Sequence, residues 1–569
     1  MIRFLTKSVL LRACLLGLSV FLVLPTAALA NGFVKYVDIR RGNNGNSGDS
    51  PTQAWKTLHY AFSQIGSGDT LRVMAGVYSV ANGEPNTPLN LAVDATIEGE
   101  PEGSAIIDGT GATAWPKGLI CAVNAALRFL TFRNFATYGL EVRNSMPSLD
   151  KCSFKDNGTG VYVGHTGLYS ASPSITNCIF SANSLYGIQI VQSVTGYSVG
   201  AMIQHNTLDG HVDGIYIGGD SAYLSVFIRY NILVNSSGYG VNCAAGGGVT
   251  SLDYNNGWQN AAGNATGVAW PAPNNQTADP SFRAGYRLNA GSPCVDKIPP
   301  ATGDPIFDDH EGRPRPVNTN FDIGAYEYRP LLSQSLTFAP GTTAQDYRIA
   351  SMPLDPEDAT PNVVLGPYVE PYDITQVRVG HWDPYLAAYE EYPFTGDDPI
   401  LPGDSAWFLF RNGQTMTLTG YKAPTMPDPY WGQPACGIPV KKGWNQVGNP
   451  FQHPVDVGQI SVLDLYGGSS EPLSAGCLTQ GIFWVYVGGV YMSALKLDIG
   501  QGGWVYSNVD DAEIFFRDQS VPYPDLAPDQ AYDPAPDSAL KPPPPPGAFN
   551  AAGGGGGGGS GGCFLETAR

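Results

Sequence analysis

Positive charge is scarce in this chain. Its 569 residues hold 31 Lys and Arg against 50 Asp and Glu, a formal net charge of −19. A surface with that excess of carboxylates disfavours nucleic acid and anionic membranes, so neither is expected as a partner. Acidic polysaccharides stay open, because carboxylates on both sides can share a divalent cation. Long apolar runs are equally rare. The run at residues 14–24 is too short to span a bilayer comfortably, and no other stretch is longer. With Arg3, Lys7 and Arg12 before it and Ala28-Leu29-Ala30 after it, the run reads as a secretory signal ending at residue 30. Cys14 stands at the start of the run, not at a cleavage site, which argues against a lipoprotein signal. Cleavage takes three cations and no acid, leaving an exported chain of net charge about −22 with no transmembrane segment. The sequence has no phosphate loop, nucleotide fingerprint, metal-type Cys/His spacing or Ser/His/Asp signature.

What the sequence does have is a repeat. Five lines align, starting at Ala126, Ser148, Ser174, Met202 and Phe227. Their second apolar residues are Leu127, Leu149, Ile175, Ile203 and Ile228, at intervals in the twenties. Such a period, with short apolar alternations and too little chain for a crossover helix, predicts one coil of a parallel β-helix per line. Phe132, Phe154, Phe180, Leu208 and Leu233 form a second inward column, and Leu140, Val161, Ile188, Ile215 and Val241 a third. Gly139, Gly160, Gly187, Gly214 and Gly240 precede the third column and are expected to permit the bends between sheets. A further column runs Leu130, Cys152, Cys178, Asn206, Asn231, whose last two members could start an amide ladder. Strand spacing puts Cys152 and Cys178 about 4.8 Å apart. Parallel in-register side chains suit a disulfide torsion poorly, so two buried thiols are expected there and a bridge between Cys436 and Cys477.

Before the repeat, residues 34–80 predict a strand, a Gly/Asn/Asp loop, an amphipathic helix near 57–65 and a strand at 70–74, a cap over the solenoid's open end. Tyr36-Val37, Gly48, Pro51, Trp55-Lys56-Thr57, Ala61, Gly68-Asp69-Thr70 and Gly76-Val77-Tyr78 resemble the N-terminal cap of secreted bacterial right-handed parallel β-helix proteins of the pectate-lyase-like superfamily. After the repeat, GSPCVD (291–296), DDHEGRPRP (308–316) and FDIGAYEY (321–328) resemble the end of the choice-of-anchor group of those proteins. The resemblance spans residues 34–328 and implies fold and export to the medium or outer surface of a bacterium, not a reaction.

From residue 331 the pattern changes to short antiparallel strands, in two echoing copies. YRIASMPL (347–354) is echoed by WNQVGNPF (444–451), HWDPYLAAYEEY (381–392) by FWVYVGGVYMSA (483–494), and LPGDSAWFLF (401–410) by DIGQGGWVYS (498–507). The expected class is therefore all-β. A signal (1–30) precedes a capped right-handed parallel β-helix (31–330), a sandwich-like duplicated module (331–520) and a disordered Pro/Gly-rich tether (521–569). The ending from Cys563 to Arg569, after a Gly run, resembles the C-terminal Cys-Phe-Ile box of exported bacterial proteins but stops short of its usual continuation. What that resemblance implies is C-terminal processing or anchoring.

For chemistry the outward column Arg133, Lys155, Ser181, Asp209, Val234 is the richest. Pectate-lyase-like enzymes need carboxylates for a calcium-bridged uronate and an Arg or Lys to take the proton beside its carboxylate. Arg133, Lys155 and Asp209 have those types, and His211 and Asp213 share a turn with Asp209. Asp209, Asp213 and Asp220 are the candidate calcium ligands. Against this, mixed charges on an outer face also simply keep a solenoid soluble, and Asp and His are ordinary turn residues. His205, aligned with Tyr230 and Asn177, is expected to be structural; Asp308, Asp309 and Glu311 belong to the closing loop. No pectate lyase, polygalacturonase or alginate epimerase signature surrounds any of them. The reading is an exported β-helix protein that binds extracellular polysaccharide or another surface component without established catalysis. The alternative is a uronate lyase, epimerase or glycoside hydrolase acting on the outer face.

Overall fold

Each line of the repeat folds into three short strands, because its apolar residues alternate over only three to six positions before a residue that turns the chain. A computed structural model describes residues 32–520 and 541–546, apart from 168, 272, 303–305, 395–398, 466 and the side chains of 100–104. The signal and the Cys563 ending lie outside the described residues. Seven coils stack in parallel, from Thr96–Asp108 through Ala126–Arg128, Ser148–Asp150, Ser174–Thr176, Val199–Gln204 and Leu224–Arg229 to Val249–Asp253. A second row of strands (Leu130–Arg133, Ser153–Lys155, Ile179–Ser181, Thr207–Asp209, Ile232–Val234, Asn256–Trp258) branches from the first strand. A separate eight-stranded sheet closes the triangle.

The predicted columns are in register. Leu127 pairs with Leu149, Ile175 with Ile203, and Phe132, Phe154 and Phe180 stand in line. Their rings stack 5.3 and 5.0 Å apart and nearly parallel. One coil has no second layer to bury these faces against; seven coils make one continuous core.

The turns are not made by the predicted glycines. The first corner of each coil falls at Phe129, Lys151, Asn177, His205, Tyr230 and Tyr254, and the next, ahead of the glycines, at Asn134, Asp156, Ala182, Gly210 and Asn235, all with φ between 51° and 75°. Gly139, Gly160, Gly187 and Gly214 lie at close contacts instead. A Cβ on Gly160 would sit 2.6 Å from Gly187 O and 2.7 Å from a Phe180 ring carbon. Glycine is needed there for space between coils. The strained corners are held by amide ladders. Asn206 donates to Asn231, Asn231 to Asn255 and Asn255 to Asn275, each at 3.0 Å. Asn157 and Asn183 begin a second ladder at the next corner. Fully buried amides are tolerable only when their donors and acceptors are paired, and stacking in register pairs them.

At the N-terminal end the helix Leu58–Gln64 covers the first coils with Leu58, Ala61 and Phe62. Thr57 caps it by accepting from Tyr60 N, and Glu84 accepts from Leu58 N at 2.6 Å.

The echoed segments beyond residue 331 occupy matching strands. In the first copy Arg348–Ser351 pairs with Ser405–Phe410, which pairs with Val377–Asp383, which pairs with Ala388–Glu391. In the second, Pro434–Gly448 pairs with Gly502–Arg517, which pairs with Trp484–Val487, which pairs with Val490–Ser493. Between the copies lies an aromatic core of Tyr347, Trp382, Trp407, Trp484 and Trp504. The alternating aromatics are thus interior residues. Cys436 is buried and Cys477 exposed, and both are free thiols, so the expected bridge is absent. Cys152 and Cys178 are buried free thiols on neighbouring coils.

Candidate functional site

The outward column nominated from sequence has the predicted register: Arg133, Lys155, Ser181, Asp209 and Val234 stand on adjacent strands. Most of it is not a free surface, because the closing segment folds back over it. Tyr286 donates to Asp209 Oδ2 at 2.9 Å, Ala325 N to Thr207 Oγ1 at 3.2 Å and His310 Nδ1 to Asn177 O at 2.6 Å. Ile179 packs with Tyr286, Ala325 and Tyr326, while Ile232 and Val234 pack with Leu288, Ile298, Phe321 and Ile323. The motif glycine Gly324 touches the sheet: at φ 102°, a Cβ on it would lie 2.6 Å from Ile232 Cδ1. The warning was in the sequence. Ile179, Ile232 and Val234 are apolar at outward positions, which an open polar groove does not carry.

The candidates are accordingly engaged elsewhere. Arg133 is paired with Asp108 at 2.8 Å, and Asp209 also accepts from Asn235 at 2.7 Å. Lys155 remains the open member, with Asp156 at 3.9 Å. The turn from Asp209 to Asp213 rounds a corner, so its three side chains point three ways. Asp209 faces the closing segment, whereas His211 enters the second ladder column below Asn183. His211 is 3 % exposed, donates from Nδ1 to Asn183 O at 3.2 Å, and leaves Nε2 without a hydrogen-bond partner. Burial pushes its imidazole down to about 4, so it is a neutral interior group. Asp213 is buried and accepts from Tyr239 N at 2.7 Å and Asn242 Nδ2 at 2.9 Å. Asp220 caps the turn Ser221–Tyr223 through Ala222 N. The strand Asp213–Gly218 separates it from Asp213 by about 17 Å or more. The candidate acid/base and calcium set is therefore dispersed by the corners that its close sequence spacing concealed. Among the described residues no group of three or more His, Cys, Asp or Glu is arranged to hold a metal ion.

The charged residues of the closing segment form ion pairs with their own neighbours. Arg315 meets Glu327 at 3.2 Å with both side chains fully buried, and Arg329 meets Asp309 at 3.1 Å. Glu311 pairs with Arg287 and Arg313, and Arg313 reaches across to Asp355 in the following module. Lys151 holds Asp308 at 2.8 Å. These pairs tie the solenoid, its closing segment and the module together.

A different face carries an arrangement that sequence reasoning missed. On the eight-stranded sheet, Tyr138, Tyr162, Tyr186, Tyr216 and Tyr239 come from five successive coils and are partly exposed. Tyr138 and Tyr162 stack at 4.8 Å and 20°, Tyr186 and Tyr216 at 4.9 Å and 30°. The side chains of Tyr162 and Tyr216 reach along their strands over glycines two residues on. A Cβ on Gly164 would be 2.6–2.8 Å from the Tyr162 hydroxyl and ring, and one on Gly218 2.9 Å from the Tyr216 ring. At the head of the row, Lys117 and Arg143 grip Glu141 at 2.8 Å each, with Lys117 Nζ 5.3 Å from the Tyr138 ring centre. Strand register sets them alternately in two columns, Tyr138, Tyr186 and Tyr239 in one and Tyr162 and Tyr216 in the other, and the face they span is about 19 Å long at the coil spacing. Flat aromatic rings next to hydrogen-bonding groups suit the apolar C–H face and hydroxyl rim of a pyranose. The signal was a Tyr one residue before each column glycine (Tyr138, Tyr186, Tyr239) or one after the inward apolar residue (Tyr162, Tyr216).

Residues 115–257 match the family described as "right handed beta helix region". Among solved structures the chain is similar to pectate lyase Pel9A, at 14 % identity and TM-score 0.34, over 53 % of this chain and 98 % of that one. It is also similar to a GH136 lacto-N-biosidase from Eubacterium ramulus, at 14 % identity and TM-score 0.27, over 40 % of this chain and 45 % of that one. A third is a rhamnogalacturonan lyase, at 11 % identity and TM-score 0.28, over 41 % and 75 %. No curated protein matches the chain. The family match agrees with the solenoid of this all-β chain, in which a parallel β-helix is followed by antiparallel sheets.

Proposed function

We propose that this is an exported β-helix protein that binds an extracellular polysaccharide along the tyrosine face of its solenoid, without cutting it. One observation carries the reading: five partly exposed tyrosines on consecutive coils, four of them in two stacked pairs, two of them reaching over glycines. Tyrosine is a large apolar surface with a polar tip, and a strand ladder presents it at a spacing of about 4.8 Å. A polymer running along the solenoid would meet a tyrosine on every coil, alternately from one column and the other. The engagement of Arg133, Asp209, His211 and Asp213 in structural contacts supports binding over catalysis. The signal-like residues 1–30 support export, and the Cys563 ending supports anchoring or processing at a bacterial surface.

The test uses the full chain on a panel of uronate-containing and neutral polysaccharides, with and without calcium. Retention, new reducing ends and unsaturated-uronate absorbance are followed together. Retention without turnover is expected, weakened about fivefold or more by Tyr162→Ala with Tyr216→Ala, since each stacked ring contributes about 0.5–1.5 kcal/mol. Turnover lost on Lys155→Ala and Asp209→Ala would overturn the proposal in favour of a lyase or related enzyme. Retention unchanged by the tyrosine substitutions would remove the face from it.

A further inference from the structure

Of the tether expected beyond residue 520, the described residues are 541–546, and they are not free in solvent. Lys541–Pro546 lies against the duplicated module, with Pro542 and Pro546 buried and Pro543 and Pro545 partly so. Five prolines in a row fix φ near −65°, and each bars the helical region to the residue before it, which leaves an extended polyproline-II helix. Such a helix has no N–H groups; its only polar groups are carbonyls.

The module meets it with donors. Tyr389 donates its hydroxyl to Pro544 O at 2.9 Å, and Tyr491 donates to Pro543 O. These tyrosines occupy equivalent positions in the two copies, one on Ala388–Glu391 and the other on Val490–Ser493. A polyproline helix turns about 120° per residue. Successive carbonyls therefore point to different sides, and two symmetry-related hydroxyls can take one each. The tyrosines are fixed by each other's copy: Tyr491 packs edge-on to Trp407, and Tyr389 edge-on to Trp504. Trp407 Nε1 donates to the Tyr389 hydroxyl at 3.1 Å, which orients that hydroxyl's own proton outward. Trp504 approaches Tyr491 in the same sense, although its fully buried indole N–H makes no hydrogen bond of ordinary geometry. Burial raises both phenol pKa values, so both hydroxyls remain donors. At one end of the segment Gly380 makes room for the last ring: a Cβ there would lie 3.1 Å from Pro546 Cγ.

We propose that the aromatic groove between the two copies is a polyproline-II recognition site, and that its occupant is the chain's own Pro542–Pro546, bound in cis. An aromatic floor with hydroxyl donors spaced for successive carbonyls is how proline-rich segments are recognised generally, because a preformed helix loses little entropy on docking. The module then clasps the tail at Pro546, so any surface attachment made beyond that point is held close to the module. The inference is independent of the polysaccharide reading.

The test compares the full chain with a full-length variant in which Pro542 to Pro546 are all replaced by serine. A synthetic peptide of sequence KPPPPPG, copied from residues 541–547, is titrated into each, and binding is read by calorimetry and tryptophan fluorescence. The variant should bind one peptide per chain, and the unmodified chain at least tenfold more weakly because its own segment competes. Tyr389→Phe with Tyr491→Phe in the serine variant keeps the rings and removes the donors, and should weaken the peptide roughly tenfold. A circular dichroism spectrum matching the unmodified chain verifies folding of each variant. No peptide binding by the folded serine variant, equal binding by both chains, or no effect of the two Phe substitutions would overturn the proposal. A concentration-dependent dimer that dissociates in the serine variant would overturn the cis assignment in favour of tails exchanged between two copies.

Discussion

Replacing His211 by asparagine tests the solenoid's corner logic and the reassignment of this residue from catalyst to core. His211 sits where the coils before it place Asn157 and Asn183, which accept from backbone N–H groups of Phe135 and Asn157 at 3.0 Å. An asparagine in that position can continue the ladder by accepting from Asn183 N. The imidazole, by contrast, is buried as a neutral group, with its titration moved from 6.5 down to about 4 by desolvation. Its folded pKa is depressed, so below 6.5 the unfolded chain binds the extra proton and the native state does not. Stability from this group is whole above pH 7 and drains as the pH falls from about 6.5 towards 4. Between pH 7.5 and pH 5 the loss is about 2 kcal/mol. His165 and His310 are shifted in the same direction by burial, so the informative quantity is the difference between variant and wild type. We expect His211→Asn to be at least as stable as wild type at pH 7.5. At pH 5 it should exceed wild type by about 2 kcal/mol more than at pH 7.5, read from urea midpoints of the solenoid transition. Parallel pH dependence in the two proteins would refute the reasoning. It would mean that His211 reaches solvent and returns to the list of acid/base candidates.

Two further outcomes follow from packing and thiol placement. Gly187→Ala should destabilise the solenoid by about 1–3 kcal/mol, since its Cβ would lie 2.7 Å from Gly214 O and 2.8 Å from Leu208 Cδ2; an unchanged melting temperature would refute close packing of the coils at this position. Among the described cysteines, Cys477 alone should alkylate in the native protein, with Cys121, Cys152, Cys178, Cys243, Cys294 and Cys436 reacting only after unfolding. Peptide mapping that finds Cys477 blocked until a reductant is added would restore the Cys436–Cys477 bridge.

The solenoid was legible in the sequence because its determinants are local and periodic. Leu127, Phe132 and Leu140 recur once per coil, and stacking converts that period directly into register. The echoes beyond residue 331 survived for a related reason, since equivalent strands in the two copies need the same aromatic residues at the interface they share. The glycine column is visible in the sequence but its cause is not: Gly160 is explained by the carbonyl of the coil beside it, a contact about 27 residues away. The turns themselves sit on residues such as Asn177, His205 and Tyr230; Asn and His tolerate the left-handed conformation better than most, but each is too common elsewhere to mark a turn by itself.

The site was decided by tertiary structure. Side-chain alternation told which residues face out of the solenoid, but not what lies on top of them. Asp209 and Lys155 share a column, yet Tyr286, from 77 positions further along the chain, covers one and not the other. Asp209, His211 and Asp213 are neighbours in sequence and part company at a corner, because a turn of the backbone points successive side chains outward, inward and onto the next sheet. The tyrosine row is the converse case. Its members are more than twenty residues apart, each unremarkable alone, and only the parallel stacking of coils, with strands about 4.8 Å apart, brings them to one face and sets four of them in ring pairs. Residues 542–546 read as a bare linker for the same reason. Composition predicts that a run of proline stays extended, while the groove that holds it belongs to two copies of a module folded elsewhere in the chain.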